Sequence, residues 1–138
     1  MKKLIKKISL LKDNNQKGAS SVEFAIVILL FITIIFGIIE FGLYMYNQHI
    51  VTNAAREGVR YGVVYRDNRI SANDIEAEVR SYTDNYLVTF GGGTATVNSG
   101  VCAGSGELLS VTVSYNYNFL FLRSLARQIS STTSMRCE

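Results

Sequence analysis

Proline is absent from all 138 residues, histidine occurs once and cysteine twice. Without proline, no position loses a helical N–H or forces a kink, so helical spacing that runs past one segment predicts a single continuing rod. One histidine, His49, beside only Cys102 and Cys137 leaves no paired metal-ligand spacing, and neither a nucleophile elbow nor a strand-to-helix phosphate loop is present. The run Gly91-Gly92-Gly93 lacks the lysine and hydroxyl of a phosphate cradle and reads as flexible punctuation. The expectation is a protein that is not an enzyme, with no cofactor and no metal.

Charge is also scarce where it matters. From Ala19 to Ile39 the only charged residue is Glu23, and a helix of that length rises about 32 Å, the thickness of a hydrocarbon core. This stretch is expected to enter a membrane. The net charge of +3 comes from the leader, residues 1–18, where six lysines face the single Asp13, leaving −2 for the rest of the chain. No basic surface for nucleic acid is implied. The lysines instead predict topology: leader in the cytoplasm, everything beyond the helix outside. A secretory signal peptide is the competing account of a basic region before an apolar one. Against it, the apolar run is long and ends in Glu40-Phe41-Gly42-Leu43 rather than in a small-x-small cleavage site.

Glu23 needs an explanation, since a carboxylate in lipid costs about 2.5 to 3.5 kcal/mol on insertion scales. Gly18 stands five residues before it, at the boundary between leader and apolar run. Cleavage after Gly18 would free the α-amino group of Ala19, a cation with a pKa of about 7.7 to 8, able to neutralise the Glu23 of a neighbouring subunit.

Glycine, a four-residue spacer, glutamate and then an apolar helix resemble the processing site of type IV pilin-like proteins. The Val22-Glu23-Phe24-Ala25 start, the Asn53-Ala54-Ala55-Arg56-Glu57-Gly58-Val59-Arg60-Tyr61 segment and the terminal Ser130-Ser131-Thr132-Thr133-Ser134-Met135-Arg136 narrow this to a resemblance to the TadE-like pseudopilins. Phe24 departs from that subfamily's usual tyrosine, keeping the ring and losing the hydroxyl. The resemblance implies cleavage between Gly18 and Ala19 by a prepilin peptidase, a membrane aspartyl protease, with Glu23 and Phe24 serving assembly. It further implies service in a Tad-type pilus beside other pilin-like subunits and the Tad assembly platform, in the bacterial inner membrane.

Beyond Ile39 the helical pattern continues. Thr33, Gly37, Glu40, Tyr44 and Gln48 form a small or polar stripe. Gly37 and Glu40 are candidate helix contacts in an assembly, and Glu40 reaching the outer headgroups is the plainer alternative. Val51, Ala55, Gly58 and Gly62, with Ile50 and Ala54 beside them, make a face for the globular part, while Asn53, Arg56, Glu57 and Arg60 lie around the other side. Glu57 and Arg60 read equally as solvated surface or as a partner contact.

Arg66-Asp67-Asn68-Arg69 reads as a loop. Ser71 with Asp74 gives an acidic capping box, and Ile70 with Ile75 a hydrophobic staple. A second helix follows, with Ile75, Val79, Tyr82 and Tyr86 as its apolar stripe and its carboxylates read as solvated surface. Residues 94–97 are a short strand candidate. A stronger one spans 110–119, where Val111, Val113, Tyr115, Tyr117 and Phe119 alternate with polar residues. Core packing explains Tyr115 and Tyr117 better than base stacking does. Phe119-Leu120-Phe121-Leu122 should continue into a short helix through Ala126, and 129–137 is a third, edge-type strand.

Cys102 and Cys137 lie on the side assigned to the outside, which suits a disulfide worth roughly 3 to 4 kcal/mol; ligation of a metal with His49 is the competing reading. The expected fold is α+β: a cleaved leader over 1–18, a membrane helix over 19–45 and an outer α+β domain over 46–138 with a sheet of about three antiparallel strands. The leading function is a minor pilin or pseudopilin. A permanently anchored, uncleaved binding or sensing module is the alternative, and an anchored enzyme a third.

Overall fold

The computed structural model describes residues 2–64, 70–91, 93–121 and 126–138, with side chains described from Gly18 onward. The loop expected at 66–69 therefore lies outside the described residues, as does Gly92. Three strands and two helices follow in the order α1 (Lys2–Val63), α2 (Ala72–Tyr86), β1 (Thr96–Ser99), β2 (Leu108–Asn118) and β3 (Ala126–Arg136). The architecture is α+β, as the patterning predicts. Two compact units divide the chain, Met1–Ile39 and Glu40–Glu138.

In the first unit, every side chain described from Gly18 to Ile39 is exposed. The helix there is long and apolar enough to cross a membrane, and an apolar rod with no protein against it is the form a lipid-facing segment takes.

The second unit is built on the part of α1 from Glu40 onward. Val51, Ala54, Ala55, Gly58, Val59 and Gly62 are buried, whereas Asn53, Arg56 and Arg60 are exposed, which is the division the spacing predicts. Two glycines set how close the layers come. A methyl group on Gly58 would collide with Val79 Cγ2 and press on Val111 Cγ1 at 3.3 Å; one on Gly62 would lie 2.5 Å from Leu109 Cδ2 and 2.7 Å from Ile75 Cδ1. The glycines let the α1 backbone sit directly on α2 and β2.

Helix α2 starts on the expected capping box. The Asp74 N–H donates to the Ser71 hydroxyl at 3.3 Å, and the Asp74 carboxylate accepts the Ser71 N–H at 3.0 Å and its O–H at 2.7 Å. Those donors hold the Asp74 carboxyl below its ordinary range. The buried stripe is Ile75, Val79 and Thr83 rather than Ile75, Val79, Tyr82 and Tyr86. These three form a straight i, i+4 row, and Thr83 is tolerated there because its hydroxyl donates to the Arg80 carbonyl at 3.1 Å. Tyr82 is half-buried and Tyr86 exposed, their rings 4.9 Å apart.

The sheet has the order β1-β2-β3, antiparallel throughout. Pairing runs from Thr96 opposite Ser114 to Ser99 opposite Val111, and from Leu108 opposite Arg136 to Asn118 opposite Ala126. On β2 the inward set is Leu109, Val111, Val113, Tyr115 and Tyr117, the alternation read from the sequence. On the opposite face Ser110 pairs with Ser134 at 2.8 Å and Thr112 with Thr132 at 2.9 Å through their hydroxyls. Strand β3 is an edge, as expected, and contributes only Ile129 to the core.

The short helix expected to follow Phe119-Leu120-Phe121-Leu122 falls on residues 122–125, which lie outside the described residues; its expected end, Ala126, opens β3 instead.

Cys102 and Cys137 are joined in a disulfide, with Cα atoms 5.9 Å apart. It fastens the loop before β2 to the chain's end, where the Gly106 N–H donates to the Cys137 carbonyl at 2.8 Å and the Cys137 N–H to the Glu107 carbonyl at 2.8 Å. Gly106 takes a φ of +86° in this turn, a region glycine enters without steric cost.

Candidate functional site

Two places on α1, one in each unit, carry the residues singled out in the sequence. In the first unit, Gly18, Ala19, Glu23 and Phe24 are exposed. A side chain added at Gly18 would meet nothing within 4 Å, and the same holds for Gly37. Glu23 makes no hydrogen bond or ion pair among the described residues. Its carboxylate thus stands on a stripe otherwise made of Val22, Ile26, Val27 and Leu30, all exposed. This is the unpartnered charge that lipid penalises and that an external cation would relieve.

The second unit begins with the opposite case. Glu40 is only 7% exposed and three donors converge on its carboxylate. The Tyr117 hydroxyl donates to Oε1 at 3.1 Å, the Leu120 N–H to Oε1 at 2.9 Å and the Phe121 N–H to Oε2 at 3.1 Å. A buried carboxylate is stable when its lone pairs are filled in this way. The same arrangement suppresses ionisation of Tyr117: burial and the neighbouring Glu40 carboxylate push its hydroxyl up to about 12. Tyr44, one turn beyond Glu40, packs edge-on against the Tyr117 ring at 5.6 Å and stacks on Phe119 at 6.2 Å. The stripe residue read as a candidate helix contact has its carboxylate engaged within its own chain.

Asn47, which sequence reasoning missed, is a second clamp on the same face. It is fully buried; its Nδ2 donates to the Val88 carbonyl at 2.8 Å and its Oδ1 accepts the Val88 N–H at 3.0 Å. One side-chain amide thereby satisfies both backbone groups of a residue just past α2. The only available signal was its position: Asn47 falls seven residues after Glu40, on the side of the helix that leads into Val51 and Ala55.

Glu57 and Arg60 form a two-bond ion pair, Nη2 to Oε1 at 2.7 Å and Nε to Oε2 at 3.1 Å. It lies beside a groove of about 460 Å³ lined also by Asn53, Arg56, Tyr82 and Met135. His49 is exposed, and with both cysteines in the disulfide no thiol is left to ligate a metal beside it. Among the described residues no group of three or more His, Cys, Asp or Glu is placed to hold a metal ion.

No curated protein and no solved structure matches the chain. A family model does, and its span is the part of α1 just described, from the open glycine at the head of the apolar run to the arginine of the exposed ion pair. Residues 18–60 match the family model described as TadE-like protein, and the similarity covers that span of α1.

Proposed function

We propose that the chain is a minor pilin or pseudopilin of a Tad-type, type IV-like pilus, cleaved by a prepilin peptidase between Gly18 and Ala19 and acting in pilus assembly or as a tip or priming subunit. The observation that carries the reading is the TadE-like match that opens on Gly18, followed at the fifth position by an unpartnered carboxylate on an exposed apolar helix. The role is structural rather than enzymatic. Its partners are the peptidase, other pilin-like subunits, the Tad assembly platform and the membrane. The chain is placed in the bacterial inner membrane with the leader in the cytoplasm. The disulfide supports an outer location for the second unit, since such bonds persist in oxidising compartments.

Cleavage supplies what Glu23 lacks. The new α-amino group is a cation at neutral pH, and placed against the Glu23 of a neighbouring subunit it neutralises that carboxylate and fixes the register of the two helices. The test is the N-terminal sequence and intact mass of protein extracted from membranes of cells with and without their prepilin peptidase. A peptidase-dependent start at Ala19, abolished by Gly18→Glu, is the expected result. A start at Met1 in both strains overturns it and favours an uncleaved, anchored binding or sensing module.

A further inference from the structure

The turn that leaves β2 is apolar where a surface turn is ordinarily polar. It reads Phe119-Leu120-Phe121, with Leu120 39% and Phe121 47% exposed. Its main chain is anchored as well, because the N–H groups of Leu120 and Phe121 both donate to the Glu40 carboxylate. Nearby on α1, Phe41, Met45 and Tyr46 are exposed as well. Leu120 and Phe121 are thus fastened at the level of Glu40, the first residue of the second unit; Phe41 adjoins Glu40 in sequence, and Met45 and Tyr46 follow within two turns of α1.

Chain continuity fixes what that level is. Glu40 follows Ile39 without a break in α1, and Ile39 ends the uncharged part of a run whose length matches a hydrocarbon core. A turn bonded to Glu40 is therefore held at the edge of the apolar layer. Glu40 itself does not conflict with that place, since its charge is spread over three donors and withdrawn from the surroundings. Aromatic side chains are favoured at the boundary between lipid and water, and a phenylalanine and a leucine gain by entering it.

We propose that Leu120 and Phe121, together with Phe41, Met45 and Tyr46, form a collar that seats the second unit on the lipid surface, in the headgroup region of the outer leaflet. The collar rests on the reading of the first unit as a membrane anchor. It gives the outer domain a second attachment, made by a turn far along the sequence, and Glu40 is the residue that fastens this turn at the right height.

The chain contains no tryptophan, so a single introduced one reports unambiguously. Full-length Phe121→Trp, Leu120→Trp, Leu108→Trp and Phe31→Trp proteins, each checked for an intact Cys102–Cys137 bond, are reconstituted in phosphatidylcholine–phosphatidylglycerol vesicles. Emission is then read against lipids brominated at shallow or deep positions and against aqueous iodide. Leu108 is exposed at the far end of β2 and Phe31 lies in the apolar run. The expected result is blue-shifted emission from Trp at 121 or 120, quenched several-fold more by shallow bromine than Trp at 108, and shielded from iodide. Leu120→Trp carries the same readout if the Phe121 variant misfolds. Iodide quenching at 120 and 121 equal to that at 108, with Trp at 31 still quenched by deep bromine, overturns the collar and leaves the anchor standing. Loss of bromine quenching at 31 as well defeats the anchor reading and the collar with it. A blue shift that ignores bromine but grows with the protein-to-lipid ratio assigns the patch to a second copy of the chain and likewise overturns the proposal.

Discussion

Replacing Glu40 separates the two accounts its position allows. If the carboxylate only reached the headgroups, Glu40→Ala would leave the second unit's stability unchanged. With the observed geometry, the alanine removes the acceptor of three donors at once. Hydrogen bonds to a charged group contribute about 1.5 to 3 kcal/mol each, and a buried donor left without a partner costs about 1 to 3 kcal/mol. The three do not count alike. The Tyr117 hydroxyl is in the buried core, where no solvent replaces the carboxylate, whereas Leu120 and Phe121 are partly exposed and their N–H groups recover water. The expected loss is about 3 to 5 kcal/mol, or roughly 10 to 25 °C in the melting temperature of a domain near 100 residues. Glu40→Gln separates the contributions further: an amide oxygen at the Oε1 position keeps Tyr117 and Leu120 but turns an NH₂ toward the Phe121 N–H. Its loss should be about 1 to 3 kcal/mol. The assay is denaturant unfolding of the detergent-solubilised chain with the disulfide intact, together with amide exchange at Leu120 and Phe121. An alanine variant within about 0.5 kcal/mol of the parent, with unchanged protection at both amides, would refute the clamp.

Three further outcomes follow from the same unit. Gly58→Ala forces a methyl group onto Val79 Cγ2, a stiff β-branched side chain packed in the core, and should cost about 1 to 3 kcal/mol by denaturant midpoint, with no loss meaning that the layers part easily. Replacing Cys102 and Cys137 with serine opens a link across 35 residues and should lower stability by about 3 to 4 kcal/mol on the chain-entropy account; an unchanged unfolding midpoint would refute it. Tyr117 titrates near 12 in the folded state against an ordinary 10, so its share of stability is complete below pH 10 and is lost as pH rises through 12. Burial pushes the Tyr115 hydroxyl in the same direction. Thermal unfolding in this window should therefore fall more steeply for the parent than for Tyr117→Phe, and equal slopes would count against the assignment.

What the sequence revealed and what it hid divide by range. The capping box at Ser71 and Asp74 is complete within four residues, and the alternation of Val111, Val113, Tyr115 and Tyr117 within seven; both formed as read. The glycines at 58 and 62 were legible because small residues at helical spacing imply close approach, although nothing local named Val79 or Leu109 as what approaches. Asn47 and Glu40 were not legible in this sense. Their partners lie 41 and 77 to 81 residues away, and a polar residue on a helix looks the same locally whether it meets water or a distant backbone. Nothing local showed that the Leu120 and Phe121 N–H groups end on a side chain from α1, or that Ala126, read as the end of a short helix, opens β3 opposite Asn118.

Glu23 and Glu40 set the same physical problem twice on one helix, and the two answers divide its work. A carboxylate on an apolar rod must find donors or be expelled. At Glu40 the chain folds back on itself and supplies three, so this charge shapes the second unit and is withdrawn from the surroundings. At Glu23 the described residues supply none, and the side chains around it are all exposed. Among the described residues no donor meets that second charge, and an α-amino group on a neighbouring, cleaved subunit is the donor that the proposed function would bring to it. From Glu40 onward the helix is closed on its own chain, whereas at Glu23 the described residues leave it open.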